Sequence, residues 1–181
     1  MSLQLLLAVT LLAVLFFWAT GAHSRLVTLR NAVNQAGARL AEGLVQRHSA
    51  LTQLRLALLQ PLAAEAGALQ ALAAAQTDEQ AAASALATRA LDAVAARHWL
   101  ATQAPLDFCG ARVLALLDQH DALRQQSVVA QPLQSWHDTQ SRLALLRQAY
   151  NAAADAHNHA LAQFPTRLLA RPFRFAAAGR V

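Results

Sequence analysis

Lysine is missing from this chain and cysteine nearly so: all 15 basic residues are Arg, and Cys occurs once, at Cys109. A lone Cys excludes a disulfide framework and any Cys-based zinc site. Aromatics make up only 6% of the residues and charged side chains 14%, with 6 Gly and 5 Pro in 181 positions. β-Branched residues are sparse, which excludes an all-β fold and argues against a doubly wound α/β fold. G-x-G occurs nowhere, so there is no Gly-rich phosphate loop. G-x-S-x-G, H-E-x-x-H and a helical Glu-x-x-His pair are missing too, and with them the usual nucleophile, zinc and di-iron signatures.

What is abundant is Ala, with 45 residues, and Leu, with 34. Both are strong helix formers, and a 56% hydrophobic content is too high for disorder. The expected fold is all-α: an N-terminal transmembrane helix followed by an antiparallel helical bundle of about four long helices. Three regions follow from this reading: an anchor at 1–23, a bundle at 24–165 and a basic tail at 166–181.

Leu3 to Ala22 contains no formally charged side chain. Twenty residues of helix span about 30 Å, enough to cross a hydrocarbon core. Eleven of these positions are Leu, Val or Phe, worth about −3 to −7 kcal/mol of insertion free energy together. Trp18 lies near the exit, where an amphipathic ring suits the interface. A cleaved signal peptide is the competing reading, since Thr20-Gly21-Ala22 offers small residues. Against it, no Arg or Lys precedes the run, and the run exceeds a usual signal h-region. Arg25, Arg30 and Arg39 follow the span, so the positive-inside rule places the N-terminus outside and the bundle in the cytoplasm.

Beyond the anchor, Ser24 to Gln46 reads as a helix, with Leu26, Leu29, Val33, Leu40 and Leu44 on one side. No strong breaker separates it from the anchor, so the two can run on as one helix. His48 to Gln76 reads as the next, kinked or broken at Pro61. Thr77-Asp78-Glu79-Gln80 looks like a capping-box start for a helix reaching Gln103, ended by Ala104-Pro105. Asp107 to Gly110 reads as a connector in which Gly110 serves a turn. Ala111 to Gln119 reads as a short helix, His120 to Ser127 as a loop, and the last helix as running from there to about Gln163.

The C-terminal third carries a recognisable series: Arg147-Gln148-Ala149-Tyr150-Asn151, His157-Asn158, Phe164-Pro165 and Phe173-Arg174-Phe175. Upstream stand Leu26-Val27-Thr28-Leu29-Arg30-Asn31-Ala32-Val33, Ala111-Arg112-Val113-Leu114-Ala115 and Thr139-Gln140-Ser141-Arg142. In order and spacing this resembles the LemA family, as a divergent member, with His157 where the family has Tyr and Gly37 near where it has Trp. The resemblance implies a single-pass bacterial membrane protein with a helical-bundle domain, an N-terminus outside and no established enzymatic activity.

Arg30, Asn31, Arg142, Arg147, Tyr150, Asn151, Asn158, Phe164 and Pro165 are therefore the candidate partner-binding residues. The plainer reading of Tyr150 and Asn151 is structural: a ring packed in the bundle, and polar atoms that satisfy backbone groups on the side of the first helix. Arg30-Asn31 could complete the same cluster. Arg167, Arg171, Phe173, Arg174 and Phe175 form a basic, aromatic tail suited to anionic headgroups. The tail's apolar residues could instead cover the end of the bundle. Nucleic acid is not an expected partner, because the other arginines are scattered and no aromatic platform is visible. His157 and His159 point about 200° apart on a helix and cannot share a metal. Asp155 and His159 could supply two ligands, but no third is evident. No catalytic residue, metal or cofactor is assigned. The expected function is a non-catalytic scaffold or partner-binding module at the bacterial inner membrane. The alternatives are a secreted or periplasmic helical protein after signal cleavage, or a metal-dependent accessory enzyme.

Overall fold

The computed structural model describes the backbone of residues 3–163 and 175–181, and the side chains of those residues except 3–5 and 8. It contains α1 (Leu3–Leu58), a 3-10 turn (Ala63–Glu65), α2 (Ala66–Thr88), α3 (Ala93–Asp118), the single turn α4 (Asp121–Arg124) and α5 (Ser127–Ala162). No strand occurs among the described residues. The all-α reading holds, and four of the helices are long.

α1 is one uninterrupted helix of 56 residues, about 84 Å long. Its two ends behave differently. Leu11, Leu12, Val14, Leu15, Phe16 and Phe17 are all exposed, Leu12 by 67% and Phe17 by 74%. Consecutive residues lie about 100° apart around a helix, so this end is apolar all round. From Leu26 onward a single seam takes over: Leu26, Val33, Leu40, Leu44, Arg47, Leu51, Leu54 and Leu58 are buried at the three- and four-residue spacing of one helix face. Among the described residues, α1 is the one helix long and apolar enough to cross a membrane. The helix stops where Pro61 disfavours helical backbone at Gln60 and supplies no N–H.

Breaks elsewhere differ from the expected ones. Thr77 does not start a helix; it lies inside α2 and donates to the Ala73 carbonyl at 2.9 Å. The chain turns instead after Thr88, and Asp92 caps α3 by accepting from the Val94 N–H at 2.8 Å. Pro105 does not end α3 but sits inside it. A mid-helix Pro costs about 3 kcal/mol. Continuing the seam past it buries Leu106, Val113 and Leu117, each worth about 1.5–3 kcal/mol, so the helix continues. Gly110 accordingly serves no turn. A Cβ there would come within 3.0 Å of the Trp136 ring, and its bareness lets α5's indole lie against α3.

The apolar core forms two clusters. One gathers Leu51, Leu54, Leu58, Leu69, Leu72, Leu106, Val113, Leu117, Leu133 and Trp136. The other, nearer the apolar end of α1, gathers Val33, Leu40, Leu44, Leu86, Ala96, Trp99, Leu143, Tyr150 and Ala154. Buried Arg47, Gln76, Glu79 and Gln103 fall in sequence between these two sets on α1, α2 and α3, making a polar layer between apolar ones.

Candidate functional site

The polar layer is centred on Glu79. Its Oε1 accepts from Arg47 Nη2 and from the Trp99 indole N–H, each at 2.7 Å. Arg47 Nη1 donates to Gln103 Oε1 at 3.1 Å, and Gln103 Nε2 donates to the Trp99 carbonyl at 3.3 Å. Arg147 of α5 lies over the Trp99 ring, 5.2 Å from its centroid. Four helices thus meet at one buried cation–carboxylate pair. Sequence reasoning missed it. The available signal was an acid and an Arg falling on the apolar seams of α2 and α1, where a solvated charge has no place.

A second polar feature lies along α5, at the half-buried positions Asn151 and Asn158. Asn151 and Asn158 are two helical turns apart, about 10.5 Å, and each offers a donor and an acceptor. Asn158 Nδ2 donates to the Ala178 carbonyl at 2.9 Å, and its Oδ1 accepts from the Ala178 N–H at 2.7 Å. Asn151 does the same for Val181, with contacts of 2.6 and 2.8 Å. Three extended residues also cover about 10 Å. The two carboxamides therefore act as the edge of a partner strand, holding residues 175–181 as a strap antiparallel to α5. Within the strap, Ala178 and Val181 are buried. Gly179 crosses so close to α3 that a Cβ would stand 2.6 Å from the Ala93 Cα. Arg180 stays exposed, 3.6 Å from Asp155.

Tyr150 is fully buried and its hydroxyl donates to the Ala90 carbonyl, in the link between α2 and α3. Burial raises its pKa by desolvating the phenolate. Both polar side chains satisfy backbone groups, but those of the α2–α3 link and of the strap rather than of α1. Asn31 and Arg30 are exposed on α1. Arg142 donates to Gln46 Oε1 at 3.0 Å. Phe164, Pro165, Arg167, Arg171, Phe173 and Arg174 lie outside the described residues. Phe175 is partly buried, its ring 5.8 Å from that of His23.

His157 is completely buried, and its Nε2 lies 3.1 Å from the Ala176 oxygen. A carbonyl can only accept, so Nε2 carries the proton of this bond. The Nδ1 atom is buried with no partner. His157 lines a pocket of about 580 Å³ together with Arg30, Asn34, Arg89, Asp92 and Phe175. His159, the other half of the pair considered for metal, has Nε2 at 2.9 Å from Gln163 Nε2. Among the described residues, no three His, Cys, Asp or Glu side chains gather as a metal site would require.

A helical bundle built on a continuous helix with an apolar, exposed end defines the class of protein. The model of the LemA family matches residues 36–180, most of the chain, and the chain belongs to that family. The match begins just after Leu26–Val33, one of the segments that carried the resemblance. No curated protein matches the chain.

Proposed function

We propose that this chain is a membrane-anchored, non-catalytic module that holds a protein partner close to the bacterial inner membrane, with its N-terminus outside and its bundle in the cytoplasm. The observation that carries this reading is the continuity of α1. The helix that exposes apolar side chains on all sides at Leu11–Phe17 is the same helix that supplies the seam Leu26–Leu58 of the core. Apolar exposure of that kind is stable in lipid and costly in water. An uninterrupted helix between them fixes the bundle at a set distance from the bilayer.

The contact of Phe175 with His23 supports a headgroup role for the tail, because His23 directly follows the uncharged run. Arg167, Arg171 and Arg174 precede Phe175 and carry the matching charge, at about 1 kcal/mol each near an anionic surface. The partner surface is the outer face of α5 around Arg147, Gln148 and Asn151, which with Arg180 borders an open depression of about 510 Å³.

Replacing Leu11, Leu12 and Val14 together by Asn should release the chain from carbonate-washed membranes. Retention of the triple variant would refute the anchor. Orientation is read from Ser141→Cys in a Cys109→Ala background. That thiol should react with a membrane-impermeant maleimide only after the cells are opened, and labelling of intact cells would invert the proposed topology. Partner binding is tested by a photo-crosslinker at Gln148: a discrete crosslinked species is expected, and its absence would count against the scaffold role.

A further inference from the structure

We infer that the groove formed by α3 and α5 is a peptide-recognition site, and that besides its own strap it takes residues 175–181 of a second copy of this chain. Five hydrogen bonds from α5 hold the strap, and all five end on its main chain: His157 Nε2 donates to the Ala176 oxygen, Asn158 brackets Ala178, and Asn151 brackets Val181. Bonds of this kind recognise extended backbone, and side chains are then selected by the space around them. Ala178 and Val181 are buried, Gly179 is pressed against Ala93 and Ala96, and Ala176, Ala177 and Arg180 are exposed. The ligand is therefore an extended segment that reads small residue, glycine, any residue, aliphatic residue.

The occupant is exchangeable for two reasons. The strap completes the apolar cluster around Trp99 and Tyr150, so the groove has to be filled, but none of these contacts depends on which chain fills it. An identical segment from a neighbour restores every bond, and exchange of an identical element is a low-cost route to dimers. The hold is also modest. Five hydrogen bonds and a few small side chains return about as much as it costs to order the seven residues 175–181.

The reach is sufficient. Residues 164–174 join α5 to the strap, and a stretch of that length spans at most about 36 Å. Two packed helices measure about 20–24 Å across, so a strap can enter the groove of a bundle alongside. Copies anchored through α1 in one bilayer stand parallel and at one height, which aligns each strap with its neighbour's groove. The cis strap competes from an effective concentration of millimolar order, so exchange belongs to copies crowded in a membrane. That alignment rests on the anchored reading above; the groove itself does not.

Asp155 and Arg180, exposed and 3.6 Å apart, mark the two sides of the contact. Two differently tagged full chains, both Cys109→Ala, are co-expressed, one with Asp155→Cys and the other with Arg180→Cys, and their membranes are treated with a short bis-maleimide. Exchange should give a crosslinked band that carries both tags. A single chain with both Cys substitutions should crosslink internally, which verifies the reach of the reagent. Asn151→Leu/Asn158→Leu in the Asp155→Cys chain damages its groove, and Gly179→Val in the Arg180→Cys chain damages its strap. Each should weaken the two-tag band by about tenfold or more. The two lesions lie on opposite partners, so misfolding of one variant cannot imitate both. A band no stronger than with Ser141→Cys in place of Asp155→Cys, or one that survives either lesion, overturns the exchange. Carbonate extraction of the same membranes reports the anchor independently, so failure of the anchor and failure of the exchange are distinguishable.

Discussion

Glu79 is the most informative residue to perturb, because one carboxylate oxygen serves two buried donors. In Glu79→Leu, Arg47 keeps its charge at 4% exposure with only Gln103 as a side-chain partner, and the Trp99 N–H loses its acceptor. Removing one side of a buried ion pair costs about 3–5 kcal/mol, and an orphaned buried N–H adds about 1–3 kcal/mol. The two overlap, so a loss near 5 kcal/mol is expected. Glu79→Gln retains an oxygen that can still accept from Arg47 and Trp99, and should cost about 2 kcal/mol, mainly the charge. The double variant Arg47→Met/Glu79→Leu removes both charges and should be more stable than Glu79→Leu alone, because no uncompensated charge remains. At about 2–4 °C per kcal/mol for a chain of this size, Glu79→Leu should lower Tm by about 10–20 °C. The assay is thermal unfolding of the detergent-solubilised chain, followed by circular dichroism and Trp fluorescence. If Glu79→Leu lies within about 0.5 kcal/mol of the native chain, as surface changes do, the polar layer is not what fixes the helices together. If the double variant is less stable than Glu79→Leu, the charge argument fails.

Three further outcomes follow from the same geometry. Tyr150→Phe leaves the Ala90 carbonyl without its side-chain donor and should cost about 1–2 kcal/mol at neutral pH. Because burial raises the Tyr150 pKa, the native fold binds its proton more tightly than the unfolded chain. That stability is complete below about pH 10, the unfolded value, and is lost as pH rises above it; the Phe variant should lack this part of the alkaline loss, and an identical alkaline profile would contradict the assignment. Asn158→Leu removes both bonds to Ala178, so exchange of the Ala178 amide hydrogen should rise by about 5- to 150-fold, for about 1–3 kcal/mol of lost protection, while core α3 amides stay slow. Gly179→Val should likewise lift the strap off Ala93, seen as faster proteolysis after Arg180; an unchanged cleavage rate would show that the close crossing is not required.

Much of the fold was legible because Leu and Ala at three- and four-residue spacing can bury a face only as helices. The apolar run of Leu3–Ala22 was legible for the same reason in reverse: its pattern has no polar side. The breaks were less so. Pro105 and Thr77 carry strong local signals for an end and a start, yet both lie inside helices, because the buried seams of α3 and α2 run straight through them. The true break at Arg89–Asp92 depends on an Asp cap whose local signal is weak. Among the candidate residues, Tyr150, Asn151 and Asn158 were singled out by motif, but the groups they satisfy lie in the α2–α3 link and in the strap, 20 to 60 positions away. A motif names residues without naming their partners.

The sequence by itself determined an all-helical chain with an apolar first span and the family it belongs to, because periodicity, helix propensity and motif order are properties of neighbours along the chain. Only the tertiary structure decided that the first span and the first core helix are one rod, and that Arg47 and Glu79 are buried against each other. It also decided that two Asn side chains hold the C-terminal strap, and that Arg30, Arg89 and His157 share one pocket. Those facts depend on which faces of distant helices meet. That is set by the fit of Ala, Leu and Trp side chains across the bundle and by the need to pair every buried charge.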